Sequence, residues 1–125
     1  MTSLLGHVDH SLQPIVPIML VGPGGNTSEY AAMLDTGFDG WLTLPSATIE
    51  KLELPWQAKA RALVADGRTE TFDIFAGQLV WFGRSLRIEI EAVESLPLIG
   101  TALLRNCKLE IEMVADGRVA ITPME

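Results

Sequence analysis

Over its second half the chain alternates apolar and polar residues with a period of two, and turn pairs cut the alternation at intervals. Ala58, Ala60, Ala62 and Val64 share one face, with Gln57, Lys59 and Arg61 on the other. Phe72, Ile74 and Ala76 again fall on one side, and Leu86, Ile88, Ile90 and Ala92 alternate with Arg87, Glu89 and Glu91. Leu109, Ile111 and Met113 alternate with Glu110 and Glu112. Successive side chains of a strand point to opposite faces, so this pattern specifies half-buried antiparallel strands; an amphipathic helix would repeat its apolar residues at three and four. Asp66-Gly67 and Asp116-Gly117 supply the residue types that tolerate positive φ, which a tight hairpin requires. The pentapeptide Val-Ala-Asp-Gly-Arg occurs at both places, 64–68 and 114–118. Two copies of one good turn explain it without an internal repeat.

The first half carries shorter versions of the same signals. Residues 15–21 are apolar and β-prone, Gly22-Pro23-Gly24-Gly25-Asn26 breaks them, and 29–34 resumes, which predicts a hairpin. A strand over 41–44 ends at Pro45, and Ser46 is placed to N-cap a helical turn or two over 47–52. A strand over 78–82, separate from the return strand that ends near 76, leads to a Gly83-Arg84 turn. Thr101 would cap a short helix over 101–106, and strands over 108–113 and 119–121 close the chain. The expected fold class is mainly β: a small closed or partly open barrel of short antiparallel strands, with one or two short helices. At 125 residues and 48% hydrophobic, the chain fits one domain spanning 1–125, with 1–11 expected to be a poorly ordered N-terminal segment. A domain of this size buries roughly two-thirds of its unfolded surface, enough to fold without disulfides or metal.

Charge and composition exclude several functions. The net charge is −7 and Lys and Arg are nowhere clustered, so no nucleic-acid partner is expected. Residues 1–10 lack a basic region followed by an apolar run, and 15–21 is too short to span a bilayer and contains Pro17. No membrane association is expected. Cys107 is the only cysteine, which rules out an intrachain disulfide and favours a reducing, cytoplasmic setting. Its neighbours Leu104 and Leu109 read it as a buried thiol. His7 and His10 have a spacing that could hold a metal on a helix, but no further His or Cys stands near, and a solvated tail accounts for them. Ser28, Ser85 and Ser95 lie in no nucleophile motif, and Gly22-Pro23-Gly24-Gly25 lacks the Lys of a phosphate loop. No metal and no cofactor are expected.

One segment carries chemistry: Ala31-Ala32-Met33-Leu34-Asp35-Thr36-Gly37-Phe38-Asp39-Gly40. A hydrophobic strand ends directly on Asp-Thr-Gly and another starts just after it. Taken alone, the tripeptide reads as a polar turn. The longer stretch from Met33 to Pro45 resembles the active-site segment of the retropepsin-like, single-domain aspartic peptidases. Pro97-Leu98-Ile99-Gly100 followed by Thr101-Ala102-Leu103-Leu104 resembles their second signature, in which two apolar residues and a Gly lead into a short helix. The hairpin turning at Asp66-Gly67 falls where that family places its flap. The resemblance spans about residues 15–121.

The resemblance implies an aspartic endopeptidase in which Asp35 is catalytic, with Thr36 tying two active-site loops together and Gly37 leaving room for the carboxylates. Asp39 and the flap residues Ala65, Asp66, Gly67 and Arg68 would contact a peptide or protein substrate. Thr36 as a turn former, Asp39 as a turn cap and Arg68 as a solvated turn charge are the plainer readings. Ile99 belongs to the core under either, and Gly100 is placed for close backbone approach. Trp41, Trp56 and Trp81 fit a hydrophobic cleft or a core equally well. The chain has a single Asp-Thr-Gly, so a dyad requires a homodimer whose two-fold axis supplies the second carboxylate. Phe38 is bulkier than the small residue usual at that place, the flap tip has one Gly, and the C-terminal part continues through a full hairpin, 110–122, so that the dimer interface would differ from the viral one. Two other readings stand beside the peptidase. One is a catalytically inactive binding or scaffold module of the same fold; the other is a ligand-binding β-barrel of separate origin, which accounts for the alternation but not for the two ordered signatures.

Overall fold

The computed structural model describes residues 2–63 and 65–124. Among them are ten strands and two short α-helices. The strands are β1 (Leu4–Val8), β2 (Pro14–Val21), β3 (Thr27–Leu34), β4 (Leu42–Leu44), β5 (Trp56–Leu63), β6 (Thr69–Trp81), β7 (Arg84–Ala92), β8 (Leu98–Ile99), β9 (Cys107–Ile111) and β10 (Arg118–Pro123). The helices are α1 (Ser46–Lys51) and α2 (Thr101–Leu104), and Pro23–Gly25 forms a 3-10 turn. None of the helices is long and apolar enough to cross a membrane.

All the strands join one sheet in the order β5-β6-β7-β4-β8-β3-β2-β1-β10-β9. The sheet curls until β6 also pairs with β2, Met19 opposite Val80 and Leu20 opposite Leu79. That contact closes a ring of β2, β3, β8, β4, β7 and β6, from which β5 projects on one side and β1-β10-β9 on the other. The expected mainly β, partly open barrel is therefore the observed one. Its interior is filled by the apolar halves of the alternating strands, including Val16, Ile18 and Leu20 of β2, Leu79 of β6, Ile88 and Ile90 of β7, and Ile99 of β8. Burying each of these contributes about 1.5–3 kcal/mol, and the ring makes one contiguous core.

The structure departs from the sequence reading at four places. Residues 1–11 were expected to be poorly ordered, yet Leu4–Val8 is a strand bonded to β10 and, at His7 and Val8, to β2. Gly6 permits this, because a Cβ there would collide with the Ile15 carbonyl, and Val8 is fully buried. The polar run that suggested a tail is a turn, with the Asp9 carboxylate accepting the N–H groups of Ser11 and Gln13 at 2.9 Å. The two strands expected on either side of residue 77 are one continuous β6. Gly77 does not break it; a side chain there would strike Ile90, so this Gly marks close packing between β6 and β7. Ser46 and Thr101 each begin a helix and cap neither, the capping positions being Pro45 and Gly100. Ser46 instead donates its N–H and hydroxyl to Glu94, at 2.8 and 2.6 Å. Cys107 is half-buried at the start of β9, where desolvation pushes its thiol pKa up.

Candidate active site

The short strand β8 runs between β3 and β4, parallel to the first and antiparallel to the second. Met33 lies opposite Leu98 and Leu34 opposite Ile99, while Leu42 lies opposite Ile99 from the other side. The chain leaves β3 at Asp35, turns through Thr36–Gly40, and re-enters the sheet two strands away as β4. The segment from Pro97 to Gly100 fills the gap between the two. The backbone accounts for its own polar groups there: Met33 N–H donates to Pro97 O at 2.8 Å, and Asp35 N–H to Ile99 O at 2.9 Å.

These contacts fix Asp35 at the strand end. Its carbonyl accepts the N–H of Phe38 at 3.1 Å, closing a turn. Its carboxylate oxygen Oδ1 accepts the N–H of Gly37 at 2.9 Å. Oδ2 takes part in no hydrogen bond among the described residues. Asp35 is half-buried, and Thr36 and Gly37 are exposed beside it. The three residues therefore present one oriented carboxylate, a hydroxyl and a bare backbone on one surface.

The far side of the loop is clamped by the start of α2. Gly100 N–H donates to Trp41 O at 3.1 Å, Thr101 N–H to Phe38 O at 2.8 Å, and Ala102 N–H to Gly40 O at 3.1 Å. A Cβ at Gly100 would collide with the carbonyl oxygens of Gly40 and Phe38 and with the Phe38 ring. The expected close approach at Gly100 is thus present, and Ile99 beneath it is completely buried.

Two residues near the loop carry roles that alternation alone does not announce. Thr43, in β4, is 2% exposed, and its Oγ1 accepts the N–H of Leu98 at 2.9 Å. This bond ties β8 to β4 and so sets the height of the Ile99 carbonyl that holds Asp35. Only the proximity of Thr43 to the Asp-Thr-Gly segment could have flagged it. Glu91 was assigned to the solvent face of β7; it is half-buried, with Oε2 against Gly40. Burial raises its pKa above the ordinary carboxylate range, and the negative charges of Asp39 and Glu89 raise it further. The bulk of Phe38, whose ring lies over Gly40 and Gly100, fills the space that a small residue would leave open.

The remaining site candidates fall in two places. Asp39 is exposed on the same loop as Asp35. Ala65, Asp66, Gly67 and Arg68 form the exposed tip of the β5–β6 hairpin, with Gly67 at φ +87°. Asp66 Oδ1 accepts the Arg68 N–H at 3.0 Å, and Arg68 also pairs with Glu70 at 3.7 Å. No hydrogen bond or ion pair among the described residues links this tip to the Asp35 loop. Leu63, 77% exposed, lies just before the tip, and Trp56, 58% exposed, starts β5 and donates its indole N–H to Asp73 at 3.1 Å. Trp41 packs against the core next to the loop, and Trp81 stacks edge-on with Phe82 at 5.0 Å. His7 and His10 lie on a strand and in a turn, His10 3.5 Å from Asp116. Among the described residues no group of three or more His, Cys, Asp or Glu side chains is arranged to hold a metal.

No protein-family model matches the chain, and no curated protein matches it by sequence. Solved structures do. A retropepsin-like aspartic protease from Rickettsia conorii superposes with a TM-score of 0.60 at 13% identity, over 98% of this chain and 90% of that one. The protease of simian foamy virus (mac) superposes with a TM-score of 0.50 at 19% identity, over 70% of this chain and 90% of that one. At such identities the likeness concerns the backbone path. The strand crossing at Asp35, the closed ring and these two neighbours together show that the chain has a retropepsin-like fold.

Proposed function

We propose that this chain is an aspartic endopeptidase that acts as a homodimer, with the Asp35 carboxylates of two copies sharing one site. The observation that supports it most is the placement of Asp35. It sits at a strand end, braced by the Ile99 carbonyl, with Gly37 N–H on one carboxylate oxygen and the other unengaged. Two such carboxylates facing across a two-fold axis would bridge a water. Like charges at that distance do not both ionise, so the pair shares a proton, and its titration belongs to the dyad and not to either chain. The ionised carboxylate takes a proton from the water as it attacks the peptide carbonyl. The protonated one donates a hydrogen bond to the carbonyl oxygen, and a proton passes to the amide nitrogen as the C–N bond breaks.

Thr36 would bond across the axis to the opposite loop, a role suited to a hydroxyl exposed beside the carboxylate. Asp39 would contact the substrate backbone. The hairpin tip at Ala65, Asp66, Gly67 and Arg68 would close over a peptide or protein substrate and exclude water. No nucleic acid, membrane or cofactor enters this chemistry, and a cytoplasmic setting accords with the single thiol at Cys107.

The test compares the wild-type protein with Asp35→Asn on a diverse peptide library from acidic to neutral pH. Cleavage by the wild type and none by the variant is the expected result. Cleavage that persists in Asp35→Asn would sink the mechanism, and none by either protein would favour an inactive binding module. Light scattering adds an independent check, since a strict monomer at high concentration cannot build the dyad.

A further inference from the structure

Strand β2 changes partners along its outer edge. At Pro14 and Ile15 that edge pairs with β1, and at Met19 and Leu20 it pairs with β6. Pro17, which has no N–H to offer to either, falls between the two pairings. Past this point β1 is held by β10, through Leu4 and Leu5, so β1 and β6 diverge. The gap they leave is a cavity of about 780 Å³, lined by Ile18 and Met19 of β2, Leu4 and Pro123 of the terminal strands, and Trp81 and Phe82 at the β6–β7 turn. Small-molecule sites are of this size. The cavity is separate from the Asp35 loop: Met19 lies opposite Glu29, six residues before Asp35, which is about 20 Å along β3.

The lining restricts what can fill it. Its charged side chains among the described residues are both arginines, Arg84 at the start of β7 and Arg105 just after α2. The chain has 16 acidic residues against 9 basic ones, yet none of the described acidic residues lines this cavity. Neither arginine side chain forms an ion pair or a hydrogen bond among the described residues. The rest of the lining is chiefly apolar, and its Ser3 hydroxyl is already bonded to Thr122 at 2.7 Å. Phe82 stands at φ +51°, a left-handed conformation that Asn or Gly adopts more readily than a bulky residue. The turn thus carries an unfavourable residue for its backbone, and the ring of that residue lines the cavity edge-on to Trp81.

We propose that this cavity binds a long-chain carboxylate, its alkyl tail against Met19, Trp81 and Phe82 and its head at Arg84 and Arg105. Tail and lining shed their water together, which supplies most of the driving force. The guanidinium groups offer a planar, charged fork that matches a carboxylate. A peptide suits the cavity less well. Its N–H and C=O groups would lose water and meet a lining with few polar partners for them. A cationic amphiphile would meet two positive charges and no described acid. The proposal goes beyond the peptidase reading and does not depend on it, since no residue is shared with the Asp35 loop.

Dodecanoate, titrated below its micellar concentration, is the probe, read by calorimetry and by Trp81 fluorescence. One saturable site is expected. Arg84→Gln and Arg105→Gln together are expected to weaken it by roughly five- to thirty-fold, both arginines being exposed. The paired replacements by Lys keep the charge and are expected to retain most of the affinity, which also shows that the positions tolerate change. Dodecanol has the tail without the charge and is expected to bind more weakly by a similar factor, and dodecyltrimethylammonium more weakly still. Asp35→Asn is expected to lose cleavage and bind dodecanoate as the wild type does, so the two readings can fail separately. Dodecanol that matches dodecanoate, or glutamines that leave the affinity unchanged, would overturn the placement of the head. No saturable binding, or a fluorescence change that survives Trp81→Phe, would overturn the site itself. A short apolar peptide with a free C-terminal carboxylate that binds more tightly than dodecanoate would overturn the choice of ligand.

Discussion

Replacing Gly100 by Ala tests whether the crossing at Asp35 is as tight as it is drawn. The backbone at Gly100 has φ −99° and ψ 178°, an extended conformation open to any residue, so no strain arises from the dihedrals themselves. The whole cost is steric. The new methyl would overlap the carbonyl oxygens of Gly40 and Phe38, and these are the acceptors for Ala102 N–H and Thr101 N–H. Overpacking against atoms that can shift costs about 1–3 kcal/mol. Here the obstructing atoms are backbone, and moving them lengthens hydrogen bonds worth about 1 kcal/mol each, so the total is about 2–4 kcal/mol. With a urea slope of about 1.5 kcal/mol/M, the unfolding midpoint should fall by roughly 1.3–2.7 M. Gly67→Ala is the comparison. That Gly has φ +87° with nothing near its would-be Cβ, so its replacement costs only the backbone term, about 1 kcal/mol. If Gly100→Ala proves no more costly than Gly67→Ala, the loop yields easily and the account of how Asp35 is held is wrong.

Thr43→Val keeps the shape of a buried side chain but leaves the Leu98 N–H without an acceptor, so stability should fall by about 1–3 kcal/mol in chemical denaturation, with Thr43→Ser losing less. Ile99→Ala removes a fully buried side chain beneath the Asp35 loop and should cost about 2–5 kcal/mol by the same measurement. Glu91 has a folded-state pKa raised by burial first and then by Asp39 and Glu89, so the folded protein holds its proton more tightly than the unfolded chain does. Its destabilising effect is absent at low pH, grows as pH climbs from the unfolded to the folded pKa, and is constant above. Glu91→Gln should therefore raise the thermal midpoint at neutral pH and give no advantage in acid; an advantage independent of pH would contradict this origin.

How much of this was legible in the sequence follows from the range over which each feature is decided. Strand faces are set by neighbours two residues apart, and Leu86, Ile88 and Ile90 reported theirs correctly. Hairpins are set by a turn, and Asp66-Gly67 named its own. The ring was not readable in this way, because its closure rests on Met19 and Leu20 meeting Val80 and Leu79, some sixty residues along the chain. Gly77 was misjudged for a related reason. A glycine that relieves a contact with Ile90 is identical in sequence to one that breaks a strand. The N-terminal strand was missed because Leu5 and His7 face outward and only Leu4, Gly6 and Val8 pack inward, too few residues to show a period beside the polar turn at Asp9.

The candidate site divides along the same line. Asp35 was found because a strand, a carboxylate and a Gly adjoin in sequence, and Gly100 because its segment has a recognisable order. Glu91 and Thr43 were not, since each acts on the loop from another strand. Glu91 sits in a run of alternating charges where every neighbour predicts solvent, and β7 instead turns it toward Gly40. What one chain assembles is a single carboxylate, held by the backbone of one short strand and clamped by the first turn of one helix. Every contact that fixes its orientation lies within the chain, whereas a two-carboxylate reaction would need a second copy. Folding and activity would then depend on different contacts. Lesions such as Gly100→Ala would act on the fold of each copy. Lesions confined to a surface where two copies meet would leave the fold intact and act on activity alone.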